Sequence, residues 1–306
     1  MMNCLSISLF GRFNTYHNSD ILFGLDAAKL QELFSYLLIY RDRPHHREQL
    51  ATLLWDAKST RQSKKYLRQA LWQLRQHLES CYGQESILLQ LDGDWVYINT
   101  EAPFWLDVHV FEVAFNAVRE VLGHDMSAES ASQIKKAVQL YKGSLLEGWY
   151  QDWCNFERER FQLIYLSMLD KLMSYCANRG DYEEGVAYGI LGLRQDPAQE
   201  RTHQQLMRLH YLSGNRSGAL RQYKMCEDIL QSELSVAPSR LTQLLYEQIR
   251  GDQLPSPTDK SSPQPGTPTG ALQTLAEQLN KLRVDIDLIQ HQVQSQLEMT
   301  GKFPTV

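Results

Sequence analysis

Residues 59–99 read STRQSKKYLRQALWQLRQHLESCYGQESILLQLDGDWVYIN, and two different periods meet in that run. At about 100° per residue, Leu67, Leu71, Leu74 and Leu78 fall on one narrow stripe, which predicts an amphipathic helix over 60–79 with a leucine core face. The following ILLQL and DWVYIN are short β-type runs, joined at Asp92-Gly93, a strong hairpin signal. Upstream, Leu30, Leu33, Phe34, Leu37 and Leu38 keep helical spacing until Arg43, before Pro44. Leu50, Leu53 and Leu54 mark a second helix closed by Trp55. The first 25 residues alternate in β-type runs, CLSISLFGRF and ILFGL, around the turn-like NTYHNSD. Strands, three helices and a terminal hairpin outline a winged helix that ends near Asn99.

From Trp105 to Arg250 the pattern is helical, with helices predicted over 105–122, 129–142, 155–178, 182–194, 199–213, 216–232 and 239–249. Gly180-Asp181-Tyr182 and Gly214-Asn215-Arg216 recur 34 residues apart, the period of stacked helix pairs. Gly251–Gly270 holds five prolines and reads as an extended linker. Beyond it Leu272, Leu275, Leu279, Leu282, Ile286, Ile289 and Val293 form a heptad seam suited to oligomerisation. The expected fold is mainly α with a small β component: an N-terminal winged helix (1–99), an α-helical tetratricopeptide-like repeat domain (104–250), a Pro-rich linker (251–270) and a short C-terminal coiled-coil helix (271–298).

The chain has 306 residues, 43% apolar and 22% charged, with a net charge of −5. That balance excludes a protein that coats polyanions over its whole surface, so nucleic-acid contact needs a local basic patch. No apolar stretch is long enough for a membrane span, and MMNCLSISLFGRF has no basic n-region or small-residue cleavage site, so a cytoplasmic protein without membrane contact is expected. Cys4, Cys81, Cys154, Cys176 and Cys226 show no C-x-x-C pairing and read as reduced thiols. Phosphate-cradle, dinucleotide, zinc-protease and nucleophile-elbow motifs are absent from the sequence. Adjacent His45-His46 read as a solvated loop. No catalytic residue, metal site or cofactor is expected.

The 60–79 helix stands apart. Between Ser59 and Leu78 lie five basic residues and no acidic one, in a chain with an acid excess. Opposite the leucines lie Gln62, Lys65, Gln69, Trp72, Gln73 and Gln76, flanked by Arg61 and Arg68. Glutamine can bond adenine in two places, and Lys or Arg can reach guanine acceptors. This assigns Lys65, Gln69, Trp72 and Gln62 to base reading and Arg61, Lys64, Arg68 and Arg75 to phosphates. The alternative for the same face is a plain solvated one. In the hairpin, Trp95 and Tyr97 share a side opposite Val96 and Ile98. The favoured reading has both aromatics capping the core; the functional one has Asp94 or Trp95 touching the minor groove or backbone.

The order of elements, together with LFGRF (9–13), REQLATLLW (47–55), YLRQALWQLRQHL (66–78) and LDGDWVYIN (91–99), resembles the SARP-like bacterial transcriptional regulators. These join an OmpR/PhoB-type winged helix to a bacterial transcriptional activator domain of tetratricopeptide-like repeats. FWLDVHVFEVAF (104–115), AVQLYKGSLLEGWYQDW (137–153) and FERERF (156–161) extend the resemblance. Its most specific part is Pro197, Glu200, Leu206, Met207, Tyr211, Gly214, Ala219, Leu220 and Tyr223, at the family's spacing. The resemblance implies a recognition helix over 60–79, double-stranded DNA with promoter repeats as target, activation of transcription, RNA polymerase or its sigma subunit as partner, and self-association through the repeats. A reading of another class remains: a repeat-based adaptor whose winged helix binds protein.

Overall fold

The computed structural model describes residues 5–17, 20–21, 27–56, 58–82 and 88–254. Strand β1 (Leu5–Ser8) turns Leu5 and Ile7 inward, both fully buried, as the two-residue period requires. It pairs antiparallel with β2 (Asn14–His17), which in turn pairs with β3 (Asp20–Ile21). Then come helix α1 (Ala28–Ile39), the two-residue strand β4 (His45–His46), α2 (Arg47–Leu54) and α3 (Thr60–Tyr82). Strands β5 (Leu89–Asp92) and β6 (Trp95–Ile98) form the hairpin, and Asp92 pairs with Trp95, so the two-residue turn is Gly93-Asp94 rather than Asp92-Gly93. Strand order in this second sheet is β4-β6-β5.

The segment read as one helix over 105–122 is shorter and begins as a strand. β7 (Phe104–Leu106) pairs parallel with β1, and α4 (Asp107–Asn116) follows before the chain breaks into turns. The first sheet therefore runs β3-β2-β1-β7. Three apolar residues carry no visible alternation, which is why the sequence alone hides this strand. Asp107 sits at the junction. Its buried carboxylate accepts from the Leu9 and Phe10 amides at 2.8 and 2.9 Å and from Val108 N–H at 2.7 Å. Burial raises its pKa and the three N–H donors oppose that shift.

Helices α5 (Ala128–Leu140), α6 (Asp152–Arg179), α7 (Tyr182–Gln195), α8 (Glu200–Leu212), α9 (Arg216–Ile229) and α10 (Arg240–Arg250) build the repeat stack. The last turn after α9 widens into a π segment, Leu230–Leu234. Gly180 and Gly214 end α6 and α8 with φ of 82° and 78°, left-handed positions that suit glycine best. The protein is thus mainly helical with a small β component. Its core runs unbroken from Leu5, Phe34 and Leu74 through Phe111 to Phe161 and Leu172, and residues 1–254 cluster as one compact unit. Most of the Pro-rich linker and the whole heptad segment, Leu272 to Val293, lie outside the described residues, as does Cys4. Cys154, Cys176 and Cys226 are buried free thiols, pushed up by burial.

His45 and His46 are not a solvated loop. His45 is buried with Nε2 2.9 Å from Tyr40 O, and His46 caps α2 by accepting from Glu48 N–H. In the repeats His203 is fully buried between Pro197 O and Gln222 Nε2. The carbonyl only accepts, so Nε2 carries the proton and Nδ1 accepts; the ring is neutral. Burial lowers the pKa of His45, His109, His203 and His210 below 6.5. Below that value the unfolded chain binds more protons than the folded one, so stability falls as pH falls. The melting temperature is expected to hold near pH 7.5 and drop by pH 5.5, less steeply in His203→Gln; a flat profile would contradict neutral buried rings.

Candidate nucleic-acid interface

Helix α3 is held by its leucines. Leu67, Leu71, Leu74 and Leu78 are buried, and the Ser63 hydroxyl donates to Trp55 O at 2.9 Å, fixing the turn between α2 and α3. This anchoring leaves the opposite face outward. Arg61, Gln62, Lys64, Lys65, Arg68 and Gln69 are exposed, and Trp72 is 63% exposed, a large aromatic ring left in water. An apolar ring and amide side chains set among cations can meet base edges, sugars and phosphates together.

Two of the cations are shared with acids. Lys64 Nζ lies 2.7 Å from Glu48 of α2 and holds that carboxyl below the usual carboxylate range. Arg75, half-buried, lies 2.7 Å from Glu79. Any phosphate reaching these two must compete with a carboxylate. Arg61, Lys65 and Arg68 make no ion pair among the described residues.

The wing departs from the favoured sequence reading. Val96 and Ile98 fill the core, while Trp95 is 47% exposed and meets His46 edge to face at 5.3 Å. Tyr97 is half-buried. Asp94 is exposed at the tip, and its carbonyl accepts from Arg47 N–H at 2.9 Å, tying the wing to the start of α2. Between α2, α3 and the tip opens a cleft of about 210 Å³ lined by Arg47, Lys64, Arg68 and Asp94 among others. Arg47 Nε is buried there without a hydrogen-bond partner among the described residues. Sequence reasoning missed Arg47; its place as the first residue of α2, facing the 60–79 helix, was the available signal.

A charged joint connects α1 to the repeats. Arg41, just past α1, bonds Glu112 of α4 at 2.5 Å, and Arg160 of α6 bonds Glu112 at 2.8 Å and Glu157 at 2.6 Å. Burial and the Glu157 carboxylate push Tyr40 up. Tyr36 meets Trp153 edge to face at 5.4 Å. Arg158 spreads over the carbonyls of Leu145, Leu146 and Trp149, and that loop in turn bonds Leu9 and Gly11. The end of α1 and the loop after β1 are therefore held directly by repeat-domain residues.

The family model of the bacterial transcriptional activator domain matches residues 106–250. Among solved structures the fold matches Mycobacterium tuberculosis EmbR in complex with a low-affinity phosphopeptide. That match has a TM-score of 0.63 and 18% identity, covering 82% of this chain and 66% of EmbR's. Residues 106–250 thus carry a bacterial transcriptional activator domain. The chain spans about two thirds of the EmbR chain, and at 18% identity that likeness speaks to fold alone. No curated protein matches it. Among the described residues no group of acids, cysteines and histidines could hold a metal ion, and no helix is long and apolar enough to cross a membrane.

Proposed function

We propose that this protein is a SARP-like regulator that binds double-stranded DNA in the cytoplasm, reading promoter repeats sequence-specifically and activating transcription. The observation that carries the reading is the outward face of α3, where exposed cations, glutamines and Trp72 lie opposite a buried leucine stripe. In this reading residues 1–99 are the DNA-binding part. Gln62, Lys65, Gln69 and Trp72 enter the major groove. Arg61, Lys64 and Arg68, with Arg47 added from the cleft, take phosphates, and Arg75 joins by releasing Glu79. Asp94 and Trp95 lie at the adjoining backbone or minor groove. Residues 104–250 mediate self-association and contact RNA polymerase or its sigma subunit.

Selection of genomic fragments by the purified full chain at about 150 mM salt tests this reading. A recurrent motif supports it; none, with the protein folded and monodisperse, turns the weight to a protein-binding adaptor. With about five phosphates neutralised, log K is expected to fall against log salt with a slope of about −4 to −5. A slope near zero would remove the phosphate assignments.

The heptad residues Leu272, Leu275, Leu279, Leu282, Ile286, Ile289 and Val293 are proposed to pair with a second copy, raising local concentration on tandem sites. Tyr211 Oη bonds Asp252 and Leu254 O, so a truncation after Leu254 keeps the repeat stack whole. Sedimentation should give a larger assembly for the full chain than for the truncated one. Equal masses per chain length would end the pairing role.

A further inference from the structure

In the repeat stack α6 packs on α7, α7 on α8, α8 on α9, and α10 on both α8 and α9. Helix α10 closes the series among the described residues. Its inner side is filled: Leu245 and Ile249 are buried with Met207, Tyr211 and Ala219, and Thr242 bonds Glu200 and Gln204. Its outer side carries leucines as well. Leu241 is 72% exposed and Leu244 48%, beside the exposed Arg240, Glu247 and Gln248. Just upstream Leu234 and Val236 are exposed too. Isolated exposed leucines are ordinary. A run of them at the open end of a repeat stack is not, because such an end keeps a polar outer face when nothing covers it.

The charges on this face say what covers it. Arg240 makes no ion pair among the described residues, while Glu247 lies 2.7 Å from Arg250 of its own helix, both largely in water. A two-fold axis at Leu244 sets two α10 helices antiparallel, so that Leu244 meets its own copy. Arg240 and Leu241, one turn before Leu244, then lie across from Glu247 and Gln248, one turn after it. The guanidinium of each copy meets a carboxylate of the other around a small leucine centre. A parallel pairing would instead bring Arg240 against Arg240. The face is complementary to itself in the antiparallel sense alone.

We infer that the outer face of α10 binds the same face of a second copy of this chain, antiparallel about a two-fold axis near Leu244. This rests on the proposal that residues 104–250 self-associate, and it assigns that contact to one end of the stack. Identical faces close as a pair, so this contact stops at two copies. Few apolar side chains are involved, so the repeats alone associate weakly, with Kd of about 100 μM. The heptad pairing proposed above tightens the same pair, which keeps the full chain ahead of the truncated one at about 10 μM.

Sedimentation equilibrium of the full chain and of the chain ending at Leu254, over about 5–500 μM, tests the inference. The truncated chain should pass from one copy to two across that range. Leu241→Glu/Leu244→Glu should weaken the pair by about tenfold or more in both chains, with the melting temperature unchanged because both side chains stand in water. Arg240→Glu should weaken it as well, and Arg240→Glu/Glu247→Arg should restore it, a rescue that only the antiparallel contact gives. If the truncated chain pairs equally well with and without the two glutamates, the repeats self-associate through another surface: the inference falls and the proposal beneath it stands. A truncated chain that stays single at the highest concentration ends both. Pairing of the truncated chain but not of the full one would give this face to the chain's own C-terminal segment, which also overturns the inference.

Discussion

Asp107→Ala is expected to cost the fold about 3–6 kcal/mol, because buried Leu9 and Phe10 amides lose their acceptor and each unpaired group costs about 1–3 kcal/mol. The Val108 amide in the first turn of α4 loses its partner too, along with the favourable placing of a carboxylate at a helix start. Against a typical stability of about 5–15 kcal/mol, such a loss is a large fraction of the whole. Urea unfolding measures it directly. Asp107→Asn should fall between the two, since one amide oxygen remains but an NH₂ group meets a backbone donor. A change under about 1 kcal/mol for alanine would show that the sheet, the loop and α4 are joined by packing alone.

The double change Lys65→Ala/Gln69→Ala is expected to abolish preference for the selected motif while leaving the fold intact, since both side chains point away from the leucine stripe. Each lost base contact is worth about 1–3 kcal/mol, so the pair should lower specific affinity by roughly 30-fold to 10⁴-fold. Binding to scrambled DNA should weaken far less, and the salt slope should shrink by about 1 for the missing ammonium. Arg61→Ala gives the contrast: it should weaken motif and scrambled DNA alike. Should the double variant keep the same ratio between the two, base reading belongs to other residues.

Much of this molecule was legible because its signals are local. The stripe Leu67-Leu71-Leu74-Leu78 fixes the orientation of α3 from one helix's own spacing, and the hairpin is announced by a two-residue turn. The 34-residue offset between Gly180 and Gly214 gives the repeat stack for the same reason. What stayed hidden depends on partners far along the chain. β7 becomes a strand only because β1 offers it an edge, and Asp107 looks like an ordinary helix-start acid until Leu9 and Phe10 are brought to it. His45 and His46 look solvated until β6 pairs with them. At the site itself, exposure of the cations follows from periodicity. Their pairing with Glu48 and Glu79, and the arrival of Arg47 in the cleft, needed the packed helices.

The parallel pairing of β1 with β7 also sets a timetable. Residue 9 must wait for residue 107, 98 positions later, before its amide finds the carboxylate that holds it. At a synthesis rate of about 5–20 residues per second, that wait lasts about 5–20 s. Through that interval the nascent β1 edge, with Leu5 and Ile7 still in water, is open to other strands and to holding chaperones. The order of events in manufacture thus runs against the order of the chain: the part made first is completed only after the activator domain has begun to emerge.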